Sequence, residues 1–216
     1  MSRVGTGSGG SQLNVMFESI LCQVTDYDPD ILSALIELAV EIAREGREGR
    51  RIGTLFTLGD EGTVLTRSRP LILDPLKGHP ESARRVTDPN LRGTIKELAQ
   101  LDGAFIVGAD GVFVAACRYL ETAGKTVELP LGLGSRHLAG AAISASTEAV
   151  AIVVSESATV RIFCHGKLTA EIIPELWLLG QHEVRLQGPV KREDVGDLAI
   201  MTPRLPMFAG PSTRAK

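Results

Sequence analysis

Residues 101–117 read Leu101-Asp102-Gly103-Ala104-Phe105-Ile106-Val107-Gly108-Ala109-Asp110-Gly111-Val112-Phe113-Val114-Ala115-Ala116-Cys117. Two apolar runs of strand length, Ala104 to Val107 and Val112 to Cys117, flank Asp110-Gly111, a dipeptide that tolerates the positive φ a tight hairpin needs. Just upstream, Asp88-Pro89 supplies a helix cap and a first-turn proline. Leu91, Ile95, Leu98 and Leu101 then recur at helical spacing, with Arg92, Lys96 and Glu97 turned the other way. Asp102 therefore stands where a helix hands over to the first strand of a hairpin.

Working outward, Asp28-Pro29 opens another helix, carried by Ile31, Leu35, Leu38 and Ile42 and ended by Gly46. The charge run from Arg44 to Arg51 reads as its solvated end. Ile52 to Leu58 is β-rich, and Gly59-Asp60-Glu61-Gly62 is expected to turn it back as a hairpin through Thr63-Val64-Leu65. Proline punctuation makes residues 67–80 a structured loop with one short strand, and His79 a turn residue within it. Beyond the hairpin, a third helix is expected from about Arg136 to Thr147. Strand-like runs follow at Ala149 to Val154, Thr159 to Cys164 and Lys167 to Ile172, joined by Ser155-Glu156-Ser157 and His165-Gly166 into an antiparallel meander. Residues 1–11 read as a flexible tail, 12–180 as one domain on which Trp177-Leu178-Leu179 packs, and 181–216, with four prolines, as an arm.

The totals exclude several classes. At 216 residues the chain can bury a core, and a net charge of -3 with interspersed signs gives no basic footprint for nucleic acid or an anionic bilayer. No stretch has the roughly 18 apolar residues of a membrane span, and the Gly/Ser-rich start has no signal core, so a cytoplasmic protein is expected. Cys22, Cys117 and Cys164 are too dispersed for a disulfide framework or a zinc site, and His79, His137, His165 and His182 are equally scattered. Any metal is expected to be a hard ion carried with phosphate.

Two short segments bear chemistry. Asp102 lies among Leu101, Gly103 and Ala104, small and apolar surroundings in which a backbone can approach a ligand, although an acid at such a junction equally serves to turn the chain. Gly132-Leu133-Gly134-Ser135-Arg136-His137 precedes an Ala-rich helix. Its N–H groups and the Ser135 hydroxyl can receive an anion, Arg136 adds a planar fork for phosphate oxygens, and His137 can donate one more hydrogen bond. An ordinary helix cap with an exposed arginine is the alternative. Taken together, an acid that can hold a metal ion or poise a sugar hydroxyl and a cationic turn that can wrap phosphates suit a nucleoside triphosphate.

In this order the segments resemble the diadenylate cyclase family. Its signature is Asp-Gly-Ala, then a Gly-x-Arg-His turn, then Val-x-Ser-Glu at a strand end, matched here by Asp102-Gly103-Ala104, Gly134-Ser135-Arg136-His137 and Val153-Val154-Ser155-Glu156. Arg118-Tyr119-Leu120 and the loop from Arg69-Pro70-Leu71 to Gly78-His79 add to the likeness, which covers about Ile31 to Glu175.

The resemblance implies an α/β fold with a twisted mixed sheet flanked by helices. It also implies a nucleotidyltransferase that joins two ATP into cyclic di-AMP and two pyrophosphates with Mg2+ or Mn2+, across two subunits set head to head. By the same resemblance, Asp102, Arg136 and His137 are catalytic. Gly103, Ala104, Leu120, Gly134, Ser135, Ser155 and Glu156 join Arg136 and His137 in binding ATP, with Gly103 giving the ribose room, and Asp102 and Glu156 meet the metal.

Two positions depart from the family pattern: Leu138 stands where many relatives have a second arginine, and Gly140 where they have alanine. Arg118 and Lys125 are the cations available to replace that charge. The membrane or DNA-binding appendages of other members have no counterpart here, so a soluble minimal form is expected. Two other readings are a module that binds ATP or cyclic di-AMP without turnover, and a structural domain.

Overall fold

The structure is a computed structural model that describes residues 27–122, 127 and 129–175, together with the backbone of 190–195 and 198–203. Helix α1 spans Pro29–Glu45. Asp28 caps it by accepting from the Asp30 amide, Pro29 fills the first turn, and Gly46 ends it at a positive φ of 57°. Its inward side chains, Leu32, Leu35, Ile36, Leu38 and Ile42, are buried. Each such side chain contributes about 1.5–3 kcal/mol to holding the helix on the sheet.

Strand β1 (Thr54–Leu58) follows, then helix α2 (Glu61–Thr66), strand β2 (Ser68–Pro70), a 3-10 turn at Glu81–Ala83 and helix α3 (Pro89–Leu98). The hairpin strands are β3 (Ala104–Val107) and β4 (Phe113–Leu120). Helix α4 (Ser135–Ser146) leads into the meander β5 (Val150–Val154), β6 (Val160–Cys164) and β7 (Lys167–Ile172). The sheet runs β2-β4-β3-β1-β5-β6-β7. Only β1 and β3 are parallel, as expected of strands joined through a helix, and every other pair is antiparallel.

Alternation decides the layers. Phe56, Phe105, Ile152 and Ile162 face α1 and α3, while Leu55, Ala104, Ile106, Ala151, Val153 and Phe163 face α4. Both faces are covered, which is why the central strands read as continuous apolar runs. Phe56, Phe105 and Phe113 stack in the first layer at centroid separations of 5.2–6.3 Å.

One expectation fails. Thr63-Val64-Leu65 is not a returning strand but part of α2. Strand β1 already pairs with β3 on one edge and β5 on the other, so no edge is free for a hairpin partner. Gly59 and Asp60 take positive φ values and break the strand. Asp60 then anchors the new helix, accepting from the Thr63 hydroxyl at 2.6 Å and from the Glu148 amide at 3.1 Å.

Trp177-Leu178-Leu179, Cys22 and the N-terminal tail lie outside the described residues. Cys117 and Cys164 are buried free thiols. Within the C-terminal arm, β8 (Val190–Val195) and β9 (Leu198–Pro203) pair antiparallel, in a unit separate from the main body. Among the described residues no helix is long and apolar enough to cross a membrane.

Candidate active site

Three chain segments converge at the start of α4. The α3–β3 junction supplies Asp102, the first turn of α4 supplies Ser135, Arg136 and His137, and the β5–β6 turn supplies Ser155 and Glu156. Arg136 is the meeting point. Its Nη1 donates to Glu156 Oε1 at 2.9 Å, and its Nη2 lies 3.6 Å from Asp102 Oδ1. Both carboxylates are open to solvent, Asp102 with 85% of its side chain exposed. Such ion pairs are worth no more than about 1 kcal/mol, so the guanidinium can exchange its carboxylates for a stronger anion.

Several glycines set this geometry. The guanidinium passes over Gly53, where a Cβ would come within 2.7 Å of Arg136 Nη1. Gly140 lets α4 lie close on the sheet, because a Cβ there would meet Val153 Cγ2 at 2.7 Å. At Gly103, φ is +107° and the place of a Cβ is taken by the Cys117–Arg118 peptide, 2.6–2.8 Å away. Glycine at Gly103 is therefore required by the neighbouring strand, which bulges beside it with Cys117 at positive φ.

The predicted residues divide between two clefts that share Ser135 and Arg136. The first, of about 440 Å3, contains Asp102, Gly103, Ala104 and Leu120, with Leu55, Leu71, Tyr119, Leu138 and Ala139 completing an apolar wall. The second, of about 410 Å3, contains Gly134, His137, Ser155 and Glu156, with Gly132, Ser157 and Arg161. Both volumes fall in the ordinary range of small-molecule sites, about 300–1,000 Å3. The first is mainly apolar, with Asp102, Arg118 and Arg136 as its charged groups. The second is polar, opens on the N-terminus of α4, and includes hydroxyls of Ser155 and Ser157 that hydrogen-bond to each other. Gly134 caps α4 without a side-chain bond, and while the His137 amide donates to the Gly134 carbonyl, those of Ser135 and Arg136 are left for another partner.

His137 does not open on the Asp102 cleft. It is only 6% exposed, packs edge-on against Phe163, and its Nε2 lies 3.1 Å from Arg161 Nη1. Burial first, and then the Arg161 and Arg136 guanidinia, hold its imidazole below the usual histidine range, with Glu171 opposing them.

Of the two residues named to replace the missing arginine, Arg118 shares the first cleft with Leu138. There it donates to the Ser68 hydroxyl and to the Ser68 and Leu65 carbonyls, tying β4 to the end of α2. Lys125 lies outside the described residues. Sequence reasoning missed Gly53 and Arg161. A lone charge between Val160 and Ile162 in an apolar strand was the signal for the latter.

Residues 41–168 match the DAC family, described as DisA bacterial checkpoint controller nucleotide-binding. The chain belongs to the diadenylate cyclase family. A protein of Methanocaldococcus jannaschii named diadenylate cyclase is 49% identical over 149 residues, 68% of this chain and 47% of its own length. One of Haloferax volcanii with the same name is 43% identical over 151 residues, 69% of this chain and 55% of its own. The chain thus spans about half the length of these two relatives. A solved double mutant of DacA from Staphylococcus aureus overlaps 72% of this chain and 96% of its own, with a TM-score of 0.45 and 20% identity. The three diadenylate cyclase signatures lie within or against the two clefts: Asp102-Gly103-Ala104 in the first, Ser155-Glu156 in the second, and the α4 turn between them.

Proposed function

We propose that this chain is a diadenylate cyclase that condenses two ATP into cyclic di-AMP and two pyrophosphates. The observation that carries the reading is the convergence of Asp102, Arg136 and Glu156 at the seam of an apolar cleft and a polar one. An adenosine needs the first kind of surface and a triphosphate the second. In this reading the adenine lies along Leu120 and the wall of the first cleft, and the ribose lies near Asp102. The triphosphate crosses Arg136 into the second cleft, toward the N-terminus of α4, Ser155 and Ser157.

In the reaction, the ribose 3'-oxygen of one ATP bonds to the α-phosphorus of the other, the bond from that phosphorus to the bridging oxygen breaks, and pyrophosphate leaves. The hydroxyl proton passes toward the Asp102 carboxylate. A second, equivalent step closes the ring. No covalent link to the protein forms, so this chain contributes alignment and charge neutralisation, and alignment alone can lower such a barrier by about 7–11 kcal/mol.

Asp102 and Glu156 would be the oxygen donors for Mg2+ or Mn2+, in place of their present pairing with Arg136. Among the described residues no group of three or more acidic, histidine or cysteine side chains forms a metal cage. Two carboxylates fit an ion of this kind, which is held by one or two carboxylates together with substrate phosphates. When bound, such an ion would neutralise charge on the phosphates.

Each protein supplies one ATP site, so the reaction needs two copies facing each other. Leu71, Tyr119 and Leu138, partly exposed around the first cleft, support that reading as an apolar rim for a second copy to cover. The position where relatives carry arginine is thus an apolar contact here.

The deciding assay is incubation of the purified chain with ATP and Mg2+ or Mn2+, with the nucleotide product weighed by mass spectrometry. Cyclic di-AMP is expected, formed more than linearly with enzyme concentration while the pair is weak. Asp102→Asn should lower the rate by about 10²–10⁴-fold with ATP binding kept. Thermal stabilisation by ATP without any pyrophosphate would mark a binding module instead, and equal rates for Asp102→Asn and wild type would remove Asp102 from the reaction.

A further inference from the structure

Arg161 is the charge that breaks an otherwise apolar strand. Its neighbours Val160 and Ile162 are fully buried, yet its own side chain, 14% exposed, reaches the second cleft beside Arg136 and His137. Glu171 on β7 clamps it in a two-point pair: Nε donates to Oε2 at 3.2 Å and Nη2 to Oε1 at 3.1 Å. The remaining terminal nitrogen, Nη1, meets His137 Nε2 at 3.1 Å.

A guanidinium only donates and stays protonated, so this contact requires the lone pair on Nε2 and the ring proton on Nδ1. Nδ1 is buried and has no hydrogen-bond partner among the described residues. A buried donor left unmet is costly, and because His137 belongs to the lining of the second cleft, a ligand there meets Nδ1 by displacing the atoms that now shield it from solvent.

We propose that Arg161 is a positioning residue for the second cleft: held by Glu171, it fixes the ring orientation and tautomer of His137 so that the imidazole offers a donor to a polyphosphate. This rests on reading the second cleft as the triphosphate end of the site. The charged groups that face His137 are Arg161 from β6, Glu171 from β7 and Arg136 from its own helix.

The test uses the full chain with inorganic tripolyphosphate as probe. Ring nitrogen NMR shifts of His137, identified by their loss in His137→Gln, report the tautomer, and calorimetry reports binding. Wild type should show the Nδ1-protonated ring. Arg161→Leu should lose that preference and bind tripolyphosphate about tenfold more weakly, as befits loss of a charge-assisted contact. Arg161→Lys should restore neither in full, because an ammonium cannot hold Glu171 at two points and His137 at once.

Glu171→Gln, a mild change at a partly exposed site, keeps the test decisive if Arg161→Leu does not fold. It removes the one charge favouring the imidazolium, so the midpoint of His137 titration should fall. Arg161→Leu should raise it. Shifts in the same direction, no shift in Glu171→Gln, or an Nε2-protonated ring in wild type would overturn the assignment. If the chain makes no dinucleotide but shows these effects, the cyclase reading fails and the role of Arg161 stands. Dinucleotide formation without them has the opposite meaning.

Discussion

Replacing Gly53 by alanine separates alignment from stability. The added Cβ would sit 2.7 Å from Arg136 Nη1, 3.2 Å from Arg136 Cζ and 3.3 Å from Glu156 Cγ, whereas ordinary contact begins at 3.4 Å. The guanidinium must therefore retreat by about 0.7 Å from the point where it meets Glu156 and Asp102. Because the obstruction is the far end of a long side chain, the fold accommodates it cheaply. The backbone at Gly53 is not in the left-handed region, so alanine also restricts the unfolded chain, and stability should stay the same or rise by up to about 1 kcal/mol.

Catalysis is less tolerant. A misplacement of about 1 Å in a group that aligns reactants can cost roughly 10²-fold, so a loss of about 10–100-fold in kcat/KM is expected. Cyclic di-AMP formation from ATP, measured beside a thermal melt of the same preparation, checks both halves. Gly62→Ala is the control: it lies in α2 with nothing within 4 Å of its Cβ, so it should gain slight stability and keep full activity. A Gly53→Ala protein as active as wild type would refute the role given to Arg136. Equal falls in melting temperature and rate would refute the claim that only alignment suffers.

Three further outcomes follow from the same geometry. Gly103→Ala should destabilise the fold by about 1–3 kcal/mol or more in urea unfolding, since it forces a side chain into a positive φ and against the Cys117–Arg118 backbone; an unchanged midpoint would contradict the close approach of these strands. Stability should also decline as pH falls below about 6.5, the ordinary histidine value, because His137 has a lowered pKa in the folded state and the unfolded chain takes up the proton first. Thermal melts between pH 8 and 5 check this, and His137→Gln should flatten that part of the profile. Arg118→Ala should lose stability through the Ser68 carbonyl, whose guanidinium donor it removes, by about 1–3 kcal/mol in chemical denaturation, whereas the Leu65 carbonyl keeps the Ser68 hydroxyl.

The local signals in the chain were strong enough to fix most elements. Asp28-Pro29 and Asp88-Pro89 mark helix starts because a carboxylate cap and a proline at the first turn are each set by local chemistry. Asp110-Gly111 marks the hairpin because positive φ is a property of one residue, and Gly111 adopts it at 78°. The three motifs of the site were legible for the same reason, as small residues and charges adjacent in sequence.

What failed to show was everything that depends on a neighbour distant along the chain. Thr63-Val64-Leu65 has the composition of a strand, yet it coils because β3 and β5 take both edges of β1, a fact of sheet order that no local pattern carries. Gly53 looks ordinary in sequence and the lone charge of Arg161 does not name its partner; they gain meaning only where Arg136 crosses the one and His137 meets the other. The amino-acid sequence thus determined the elements and the chemistry of the turns by themselves, since these rest on backbone preferences within a few residues. Tertiary structure alone decided which groups share a cleft, because packing α4 through Gly140 onto the β1–β5 face brings Arg136 to Asp102 and Glu156, which lie in separate segments of the chain.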